Sequence, residues 1–176
     1  MAEYQPDFHQ VLDTLGEPAD SAEQRRKSRA ALRGWFDTTH AKDLAGVRDL
    51  MTDDIVVEIP FSESGRVEDG HFRVYSGADQ VCGFWAAAFQ AEGESDGMLG
   101  TEITMTADGR VAFVEGRGNL LMSNGRNYRN RYVMRFVFED GKVKHVREYY
   151  NPIVSAYGFR REIAGQYVLD SLGPAS

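Results

Sequence analysis

A single cysteine, Cys82, stands among the 176 residues of the chain. One cysteine cannot form an intramolecular disulfide, so the sequence fits a reducing cytoplasm. Histidine is nearly as scarce, and its four positions lack the spacing of metal ligands. They are His9, His40, His71 and His145. We therefore expect no metal site.

Basic residues are in deficit as well. The chain has 20 Lys and Arg against 27 Asp and Glu, a net charge of −7, which argues against nucleic acid or an anionic membrane as the main partner. No apolar run approaches the ~20 residues that span a bilayer. The first residues also lack the basic start and apolar core of a signal peptide. We expect no nucleic-acid partner, no membrane association and a cytoplasmic location.

Several motifs that carry chemistry are missing from the sequence. There is no phosphate-binding loop, no Gly-x-Gly-x-x-Gly, no Gly-x-Ser-x-Gly and no His-Glu-x-x-His. Nothing in the chain therefore predicts a nucleotide-phosphate site, a dinucleotide cofactor, a serine hydrolase or a zinc protease.

The chain does have a helical first half and a strand-rich second half. With 42% hydrophobic residues it can bury a core, and we expect a single domain over residues 1–176. Helical spacing and caps predict helices at about 7–15, 21–38, 41–51 and 78–91. Strand-like runs predict strands at about 55–60, 71–75, 101–106, 111–122, 127–138 and 143–150, with an acidic loop at 93–100. Helices followed by a curved antiparallel meander predict an α+β fold in which about three helices cover the concave face.

Three dipeptides mark the hairpins of this meander: Asp108-Gly109, Asn124-Gly125 and Asp140-Gly141. A two-residue turn at Asn124-Gly125 places four residue pairs on one face. These pairs are Asn119 with Asn130, Arg117 with Tyr132, Glu115 with Met134, and Phe113 with Phe136. The opposite face then carries Arg129, Arg131 and Arg135, which suits solvent or a subunit contact.

The last hairpin has two alternative registers. A two-residue turn aligns His145, Arg147 and Tyr149 with the face of Tyr132, whereas a three-residue loop ending at Gly141 aligns the alternate residues of that strand. A slip of one residue moves every side chain to the other face. We favour the three-residue loop, which predicts that Val146, Glu148 and Tyr150 face inward, although the pattern alone does not decide between the two.

The predicted concave face combines a few polar groups with an aromatic wall, as ligand sites do. Glu148 is the candidate acid/base, because an apolar surrounding raises the pKa of a carboxyl group towards neutrality. The structural alternative is that Glu148 pairs with an arginine. Tyr132 and Tyr150 either stabilise a developing oxyanion or belong to the aromatic core.

Other residues of this face have two interpretations as well. Glu115 and Arg117 either bind substrate or neutralise each other, and Asn130 either orients a ligand or has a structural role. The predicted wall of the pocket completes the set of candidate binding residues. It consists of Trp35, Phe84, Trp85, Phe113 and Met134.

Four segments of the second half resemble the SnoaL-like family, and within it the PhzA/PhzB group of phenazine biosynthesis proteins. The segments are Val114-Glu115-Gly116-Arg117-Gly118, Tyr128-Arg129-Asn130-Arg131-Tyr132, Phe136-Val137-Phe138-Glu139-Asp140-Gly141-Lys142 and Arg147-Glu148-Tyr149-Tyr150-Asn151-Pro152. The resemblance spans about residues 25–155, so we expect a domain core at about 21–155 and a C-terminal extension at 156–176. It implies the nuclear transport factor 2-like fold, a cone that is usually dimeric and uses neither metal nor organic cofactor.

The resemblance also implies roles for particular residues. In the PhzA/PhzB group a cavity glutamate acts as acid/base, and its position corresponds to Glu148. The group also uses a histidine whose position falls at about Phe84, and no histidine lies near it here. The resemblance thus implies the fold but not the phenazine reaction itself. His71 is the one histidine with an open role, since its loop is placed to cover the mouth of the cone.

Two hypotheses about function follow. In the first, the protein is a cofactor-independent enzyme of natural-product biosynthesis that cyclises, dehydrates or isomerises a carbonyl or polyketide-like substrate. In the second, it is a non-catalytic small-molecule-binding or scaffold protein of the same fold. Both predict a small-molecule ligand and a homodimer.

Overall fold

Helices from the first half of the chain cover one face of a curved sheet in the computed structural model, which describes residues 10–11, 14–68 and 70–167. The helices are α1 (Ala22–His40), α2 (Leu44–Asp49), α3 (Ala78–Ala91) and α4 (Pro152–Phe159). The helix predicted at about 7–15 lies largely outside the described residues. The other three predicted helices are confirmed as α1, α2 and α3.

The strands form one large sheet and one small hairpin. They are β1 (Met51–Ile59), β2 (Arg73–Ser76), β3 (Glu92–Met105), β4 (Val111–Met122), β5 (Asn127–Tyr128), β6 (Arg131–Glu139), β7 (Lys142–Tyr150), β8 (Glu162–Ile163) and β9 (Gln166–Tyr167). The large sheet has the order β2-β1-β7-β6-β4-β3, with β5 paired to β4. The α+β class is confirmed. The sheet is mixed rather than wholly antiparallel, because β1 runs parallel to β7.

Local sequence explains where α1 begins and which face it buries. The Ser21 hydroxyl accepts a hydrogen bond from the backbone N–H of Gln24 at 3.2 Å, which satisfies one of the free donors of the first turn. Ala31, Leu32 and Trp35 follow at helical spacing and are buried against the sheet. The capping signal and the apolar spacing in the sequence therefore gave the correct helix.

The prediction of an acidic loop at 93–100 is wrong, because these residues form the first half of strand β3. This half pairs with β4 through three register shifts, and Gly97 and Gly100 adopt positive φ. A Cβ at position 93 would lie 2.5 Å from the carbonyl oxygen of Leu121, so only glycine allows this approach. The strand is irregular, and its glycines and acidic residues resemble a loop in sequence.

The hairpin between β4 and β5 has a three-residue loop and not the predicted two-residue turn. Leu120 pairs with Tyr128 and Leu121 pairs with Asn127, so the loop consists of residues 123–125. Gly125 lies in the left-handed region with φ of 82°, as the last residue of such a loop requires. The register of β4 is consequently shifted by one residue along its whole length.

The shift continues into β6. Val114 faces Met134, and Gly116 faces Tyr132. The predicted pairs of Phe113, Glu115 and Arg117 with concave residues are therefore wrong. One extra loop residue turns every side chain of β4 to the face opposite to the prediction.

The hairpin between β6 and β7 has the predicted register, but it reaches that register in another way. Asp140 and Gly141 form a two-residue turn between Glu139 and Lys142, with φ of 50° and 79°. Beyond the turn, Phe138 pairs with Val143 while Val137 pairs with His145, so one extra residue bulges out of β7. The bulge shifts the register by one residue, as a third residue in the loop would have done. It therefore places Val146, Glu148 and Tyr150 opposite Phe136, Met134 and Tyr132.

The core lies between the helices and the concave face of the sheet. Its central side chains are buried almost completely and come from both layers, namely Trp35, Val47, Val81, Val114 and Phe136. The Phe136 ring contacts the Trp35 ring edge to face, with centroids 6.0 Å apart. Beyond this packed region the helices and the sheet diverge and leave a cavity.

Candidate active site

The cavity has a volume of about 800 Å³ and lies between the concave face, α1 and α3. Small-molecule sites typically measure roughly 300–1,000 Å³. Four predicted wall residues line it: Trp35, Phe84, Trp85 and Met134. The rings of Trp35 and Trp85 meet edge to face at 5.8 Å. Nε1 of Trp85 is buried and has no hydrogen-bond partner among the described residues, so the apolar wall includes one unused donor.

Glu148 projects into this cavity from β7. Met134 of β6 lies directly opposite it in the sheet, and both side chains line the cavity. Its carboxylate makes no ion pair within the described residues, and its remaining accessible surface faces the cavity. Burial raises the pKa of Glu148 to about 7, an effect that the charge of Arg73 reduces and that of Glu92 reinforces. Near neutral pH this carboxyl group is therefore divided between its acid and base forms.

Tyrosine side chains line the same cavity as Glu148. Tyr132 and Tyr150, both predicted from the sequence, line the cavity and face each other across β6 and β7. Burial raises the pKa of both phenols, and the charge of Glu148 raises them further. Both side chains consequently stay protonated. The Tyr150 hydroxyl can donate a hydrogen bond to an oxygen that acquires negative charge, whereas the proton of Tyr132 is donated to the hydroxyl of Tyr128.

Tyr128 is a third cavity tyrosine, and the sequence reasoning missed its role. Its hydroxyl accepts hydrogen bonds from the hydroxyl of Tyr132 at 3.0 Å and from Nδ2 of Asn130 at 3.2 Å. A phenol that accepts two hydrogen bonds keeps its own proton for donation elsewhere. Burial raises the pKa of Tyr128 to about 12, so it is a donor facing the cavity. The signal in the sequence was its spacing of four residues from Tyr132, which places both on one face.

Glu92 is a second carboxylate in the cavity and was also missed. Burial raises its pKa to about 7, partly offset by the charge of Lys42, whose Nζ donates to the carbonyl oxygen of Gly93 at 3.0 Å. Glu92 follows the last residue of α3 and continues the helical face of Trp85 and Ala88, which also line the cavity. This spacing was the available signal. The neighbouring acidic residues concealed it, because they resembled a solvated loop.

Three predicted binding residues lie outside the cavity. Phe113, Glu115 and Arg117 project from the convex face of β4, where all three are exposed. The three-residue loop before β5 is the reason, since it reverses the faces of β4 relative to the predicted two-residue turn. Gly118 and Leu120 occupy the cavity wall instead. A Cβ at Gly118 would lie 3.3 Å from the ring of Tyr132, so the glycine leaves room for this phenol.

Asn130 also lies outside the cavity wall, although it is buried. Its Oδ1 accepts from the backbone N–H of Asn151 at 3.0 Å, and its Nδ2 donates to the carbonyl oxygen of Asn151 at 3.0 Å. The side chain thereby joins the break between β5 and β6 to the start of α4. Of the two interpretations of Asn130, the structural one fits these contacts, and its link to the ligand is indirect, through Tyr128.

The histidines divide differently from expectation. His71 is exposed and does not line the cavity, whereas His40 lies at the cavity rim beside Gly97. His145 is on the convex face, with Nε2 2.9 Å from a carboxylate oxygen of Glu58. Within residues 10–11, 14–68 and 70–167, no three His, Cys, Asp or Glu side chains are grouped as a metal site. No helix in the same residues is long and apolar enough to cross a membrane.

A curved sheet covered by helices, with a cavity between the two layers, defines a class of α+β proteins. The sequence identifies the family within that class. Residues 32–146 match the model of the SnoaL-like domain, and the protein belongs to this family. No curated protein matches the chain in sequence.

Solved structures agree on the fold. A Bacillus subtilis protein with a provisional isomerase name superposes with a TM-score of 0.68 at 18% identity, over 84% of this chain and 99% of its own. A phenazine biosynthesis-related protein from Pseudomonas aeruginosa gives 0.62 at 18% identity, over 94% and 99%. A Jannaschia protein with a provisional SnoaL-like polyketide cyclase name gives 0.60 at 16% identity, over 81% and 97%. At these identities the likeness establishes the nuclear transport factor 2-like fold.

Proposed function

We propose that the protein is a cofactor-independent enzyme of natural-product metabolism that moves protons on a carbonyl or polyketide-like substrate by means of Glu148. Isomerisation, dehydration and cyclisation all begin in this way, with removal of a proton next to a carbonyl group. The observation that carries the proposal is a carboxylate that has no ion-pair partner among the described residues and lines one cavity together with three tyrosines. Proteins of this fold with isomerase and polyketide cyclase names are consistent with it.

The chemical step uses groups that face the cavity. The ionised carboxylate of Glu148 takes a proton from the carbon next to the substrate carbonyl, and the electron pair moves onto the carbonyl oxygen. Tyr128 or Tyr150 stabilises this oxygen by donating a hydrogen bond, and Tyr132 supports Tyr128 by donating to its hydroxyl. Protonated Glu148 then returns the proton to another carbon, which isomerises the substrate, or to a departing hydroxyl group, which dehydrates it.

The pKa of Glu148 suits this task. A pKa of about 7 leaves a substantial fraction of the carboxylate form at neutral pH, and this carboxylate is a stronger base than that of an ordinary glutamate. An exposed glutamate near its usual pKa of 4.5 would be ionised but only weakly basic. Burial of Glu148 thus raises the basicity of its carboxylate and also provides a protonated form that returns the proton.

The test is proton exchange on a simple apolar ketone, since enolisation is the step that all these reactions share. We expect the protein to accelerate incorporation of deuterium from D2O into 2-tetralone, measured by mass spectrometry. Glu148→Gln preserves the shape of the side chain and removes the base, so the acceleration should fall by roughly 10²–10⁴-fold. Glu58→Gln is the matched control on the convex face and should leave the exchange rate unchanged.

Two outcomes contradict the proposal. If Glu148→Gln keeps the full exchange rate, the acid/base assignment is wrong. If 2-tetralone binds in the cavity but the wild-type protein never accelerates exchange for this or other ketones, the non-catalytic binding or scaffold function takes its place.

The same proposal includes a homodimer formed through the convex face of the sheet. This face exposes the apolar side chains of Phe113, Val133 and Tyr149. A shallow depression beside them carries charges of both signs, from Glu102, Glu115, Arg117 and Arg131. A patch that mixes apolar groups with both charges is complementary to a second copy of itself across a two-fold axis.

Light scattering after size exclusion measures this directly. We expect a dimer for the wild-type chain and a monomer for Val133→Lys, which places an unpaired charge within the patch. Ile153→Lys is the control, because Ile153 is an exposed apolar residue on α4, away from the sheet. A wild-type monomer, or a Val133→Lys dimer, would rule out this interface.

A further inference from the structure

Two arginines face one end of the cavity. Arg73 projects from β2, and Arg161 follows α4 in the chain; both line the cavity beside Tyr150. The residues that match the SnoaL-like model end at 146, so Arg161 comes from a segment that the family model does not cover. The two guanidinium groups therefore meet only because the C-terminal segment folds back onto the mouth of the cone.

Among the described residues, one carboxylate is shared between these two cations. Glu63 lies 2.8 Å from Arg161 and 3.4 Å from Arg73, and it does not line the cavity. It therefore contacts both arginines from outside the cavity, where the loop after β1 lies. Two positive charges against one negative charge leave one net positive charge within this group of three side chains.

The guanidinium groups also have hydrogen-bond donors to spare. Arg73 donates to the hydroxyl of Tyr150, and Arg161 donates to Oγ of Ser155 at 2.6 Å. The Nε atom of each arginine is buried and has no hydrogen-bond partner among the described residues. A buried donor without an acceptor is costly, so the position of these two arginines is maintained at a cost in stability.

We propose that Arg73 and Arg161 form an anion subsite that binds the carboxylate of an apolar carboxylic acid. The inference rests on the proposed function, because it names the substrate class of that same cavity. A carboxylate fits better than a phosphate ester, since its single charge matches the single uncompensated positive charge. The planar forks of two guanidinium groups also suit the two oxygens of a carboxylate.

The subsite lies within electrostatic reach of Glu148. The charge of Arg73 acts on Glu148 across the cavity, so a carboxylate bound at Arg73 leaves the rest of the substrate beside the acid/base. Trp85 and Met134 provide apolar contact for that part. The substrate is thus held by its charged end at the arginines, and its reactive carbon is directed towards Glu148.

A purely structural role for the arginines is the competing explanation. An Arg73–Glu63–Arg161 network would fasten the C-terminal segment to the loop after β1, where the backbone N–H of Ala164 also donates to the carbonyl of Glu63 at 2.7 Å. Such a role needs no surplus of positive charge and no arginine side chains lining a cavity. It also predicts that removal of any member weakens the network, including removal of Glu63.

The experiment compares a carboxylate with its neutral isostere by isothermal titration calorimetry at pH 7. We expect 2-naphthoate to bind the wild-type protein at least about tenfold more tightly than 2-naphthamide, the difference expected for a charge-assisted contact. Arg161→Met and Arg73→Met should reduce this ratio to near one. Arg160→Met, the adjacent exposed arginine that does not line the cavity, should keep it.

Glu63→Gln decides the question even if an arginine variant fails to fold. It removes the carboxylate that contacts both arginines, so 2-naphthoate should bind several-fold more tightly while 2-naphthamide is unaffected. A structural network predicts weaker binding of both compounds.

Equal affinities for the two compounds in the wild-type protein, or no binding of 2-naphthoate, overturn the proposal. Tighter binding of 2-naphthyl phosphate than of 2-naphthoate overturns the choice of carboxylate. The acid/base role of Glu148 is tested independently, because the 2-tetralone experiment uses a ketone without a carboxylate and the binding experiment involves no turnover.

Discussion

Glu58 and Glu148 lie on adjacent strands of one sheet but on opposite faces. Glu58 of β1 is on the convex face, where Nε of Arg147 lies 2.6 Å from its carboxylate and Nε2 of His145 lies 2.9 Å from it. These partners outweigh its partial burial and hold the pKa of Glu58 below its usual value of 4.5. Glu148 has no such partner, and burial raises its pKa to about 7.

The difference shows how one sheet produces two kinds of carboxylate. Alternate residues of β7 face opposite sides, so Arg147 serves the convex surface while its neighbour Glu148 faces the cavity. A structural carboxylate is paired and stays ionised. A carboxylate suited to proton transfer is left without an ion-pair partner in a cavity, and the protein bears the cost of burying its charge.

The largest expected effect concerns the faces of β4 and β6. Phe136 is wholly buried on the concave side, whereas Phe113 is 41% exposed on the convex side. We expect Phe136→Ala to lower the free energy of unfolding by about 3–5 kcal/mol, and Phe113→Ala by about 1 kcal/mol or less. Denaturant titration of the two variants measures both values. Equal losses would mean that Phe113 faces the core, as the two-residue turn predicts.

This register is also the point at which sequence-based prediction was limited. Asn124-Gly125 and Asp140-Gly141 are equivalent hairpin signals in the sequence, yet one belongs to a three-residue loop and the other to a two-residue turn. Glycine permits the left-handed backbone in both, so the dipeptide does not determine the loop length. Helices α1 and α3 were predictable because their caps and apolar spacing are local, while strand register depends on pairing with a distant partner.

The face of Glu148 was predicted correctly although the loop before β7 was not, because a bulge in β7 compensates for the shorter turn. The bulge in β7 adds the same one-residue offset as the favoured three-residue loop. The resemblance in the Arg147-Glu148 segment supported the same face on independent grounds. Glu92 and Tyr128 escaped prediction because each stands at an irregularity, Glu92 where a helix passes directly into a strand and Tyr128 where β5 breaks before β6.

The second expected effect is a pH dependence of stability that comes from Glu148. Its folded-state pKa of about 7 exceeds its usual 4.5, so the folded protein binds its proton more tightly than the unfolded chain. The contribution of this group is complete below pH 4.5 and is lost as pH rises to about 7, on the order of 3 kcal/mol. The measurement is the free energy of unfolding at pH 5 and pH 8, in wild type and Glu148→Gln.

We expect Glu148→Gln to lose most of this decline and to be more stable than wild type at pH 8, where the wild type buries a charge. Glu92→Gln serves as a comparison, because it should act in the same direction through the second cavity carboxylate. If the wild type and Glu148→Gln show parallel pH profiles, the carboxyl group is not desolvated as proposed.

A smaller effect distinguishes the phenols on the two faces. Tyr128 has a free hydroxyl proton facing the cavity, while Tyr149 lies on the convex face and is 40% exposed. We expect Tyr128→Phe to slow deuterium exchange of 2-tetralone by about tenfold, the loss of one hydrogen bond to the developing oxyanion. Tyr149→Phe should have no effect on that rate. An unchanged rate in Tyr128→Phe would assign the donor role to Tyr132 or Tyr150 alone.

The smallest effect is the contribution of the ion pair between Glu58 and Arg147, on the convex face, to the free energy of unfolding. Glu58→Gln leaves Arg147 and His145 without their carboxylate, but all three side chains are partly exposed, so the loss of stability at pH 7 should stay below about 1 kcal/mol. Because the pKa of Glu58 is lowered, this contribution is present above pH 4.5 and disappears as pH falls through the lowered value. It should also fade in 1 M NaCl, where the Debye length is only about 3 Å.

Denaturant titrations of Glu58→Gln and Glu148→Gln at pH 8, in low and high salt, therefore give opposite signs: a salt-sensitive loss for Glu58 and a salt-insensitive gain for Glu148. A gain in both variants would mean that Glu58 is also a strained, desolvated carboxylate, and the two faces would no longer differ in the way that assigns the acid/base role to Glu148.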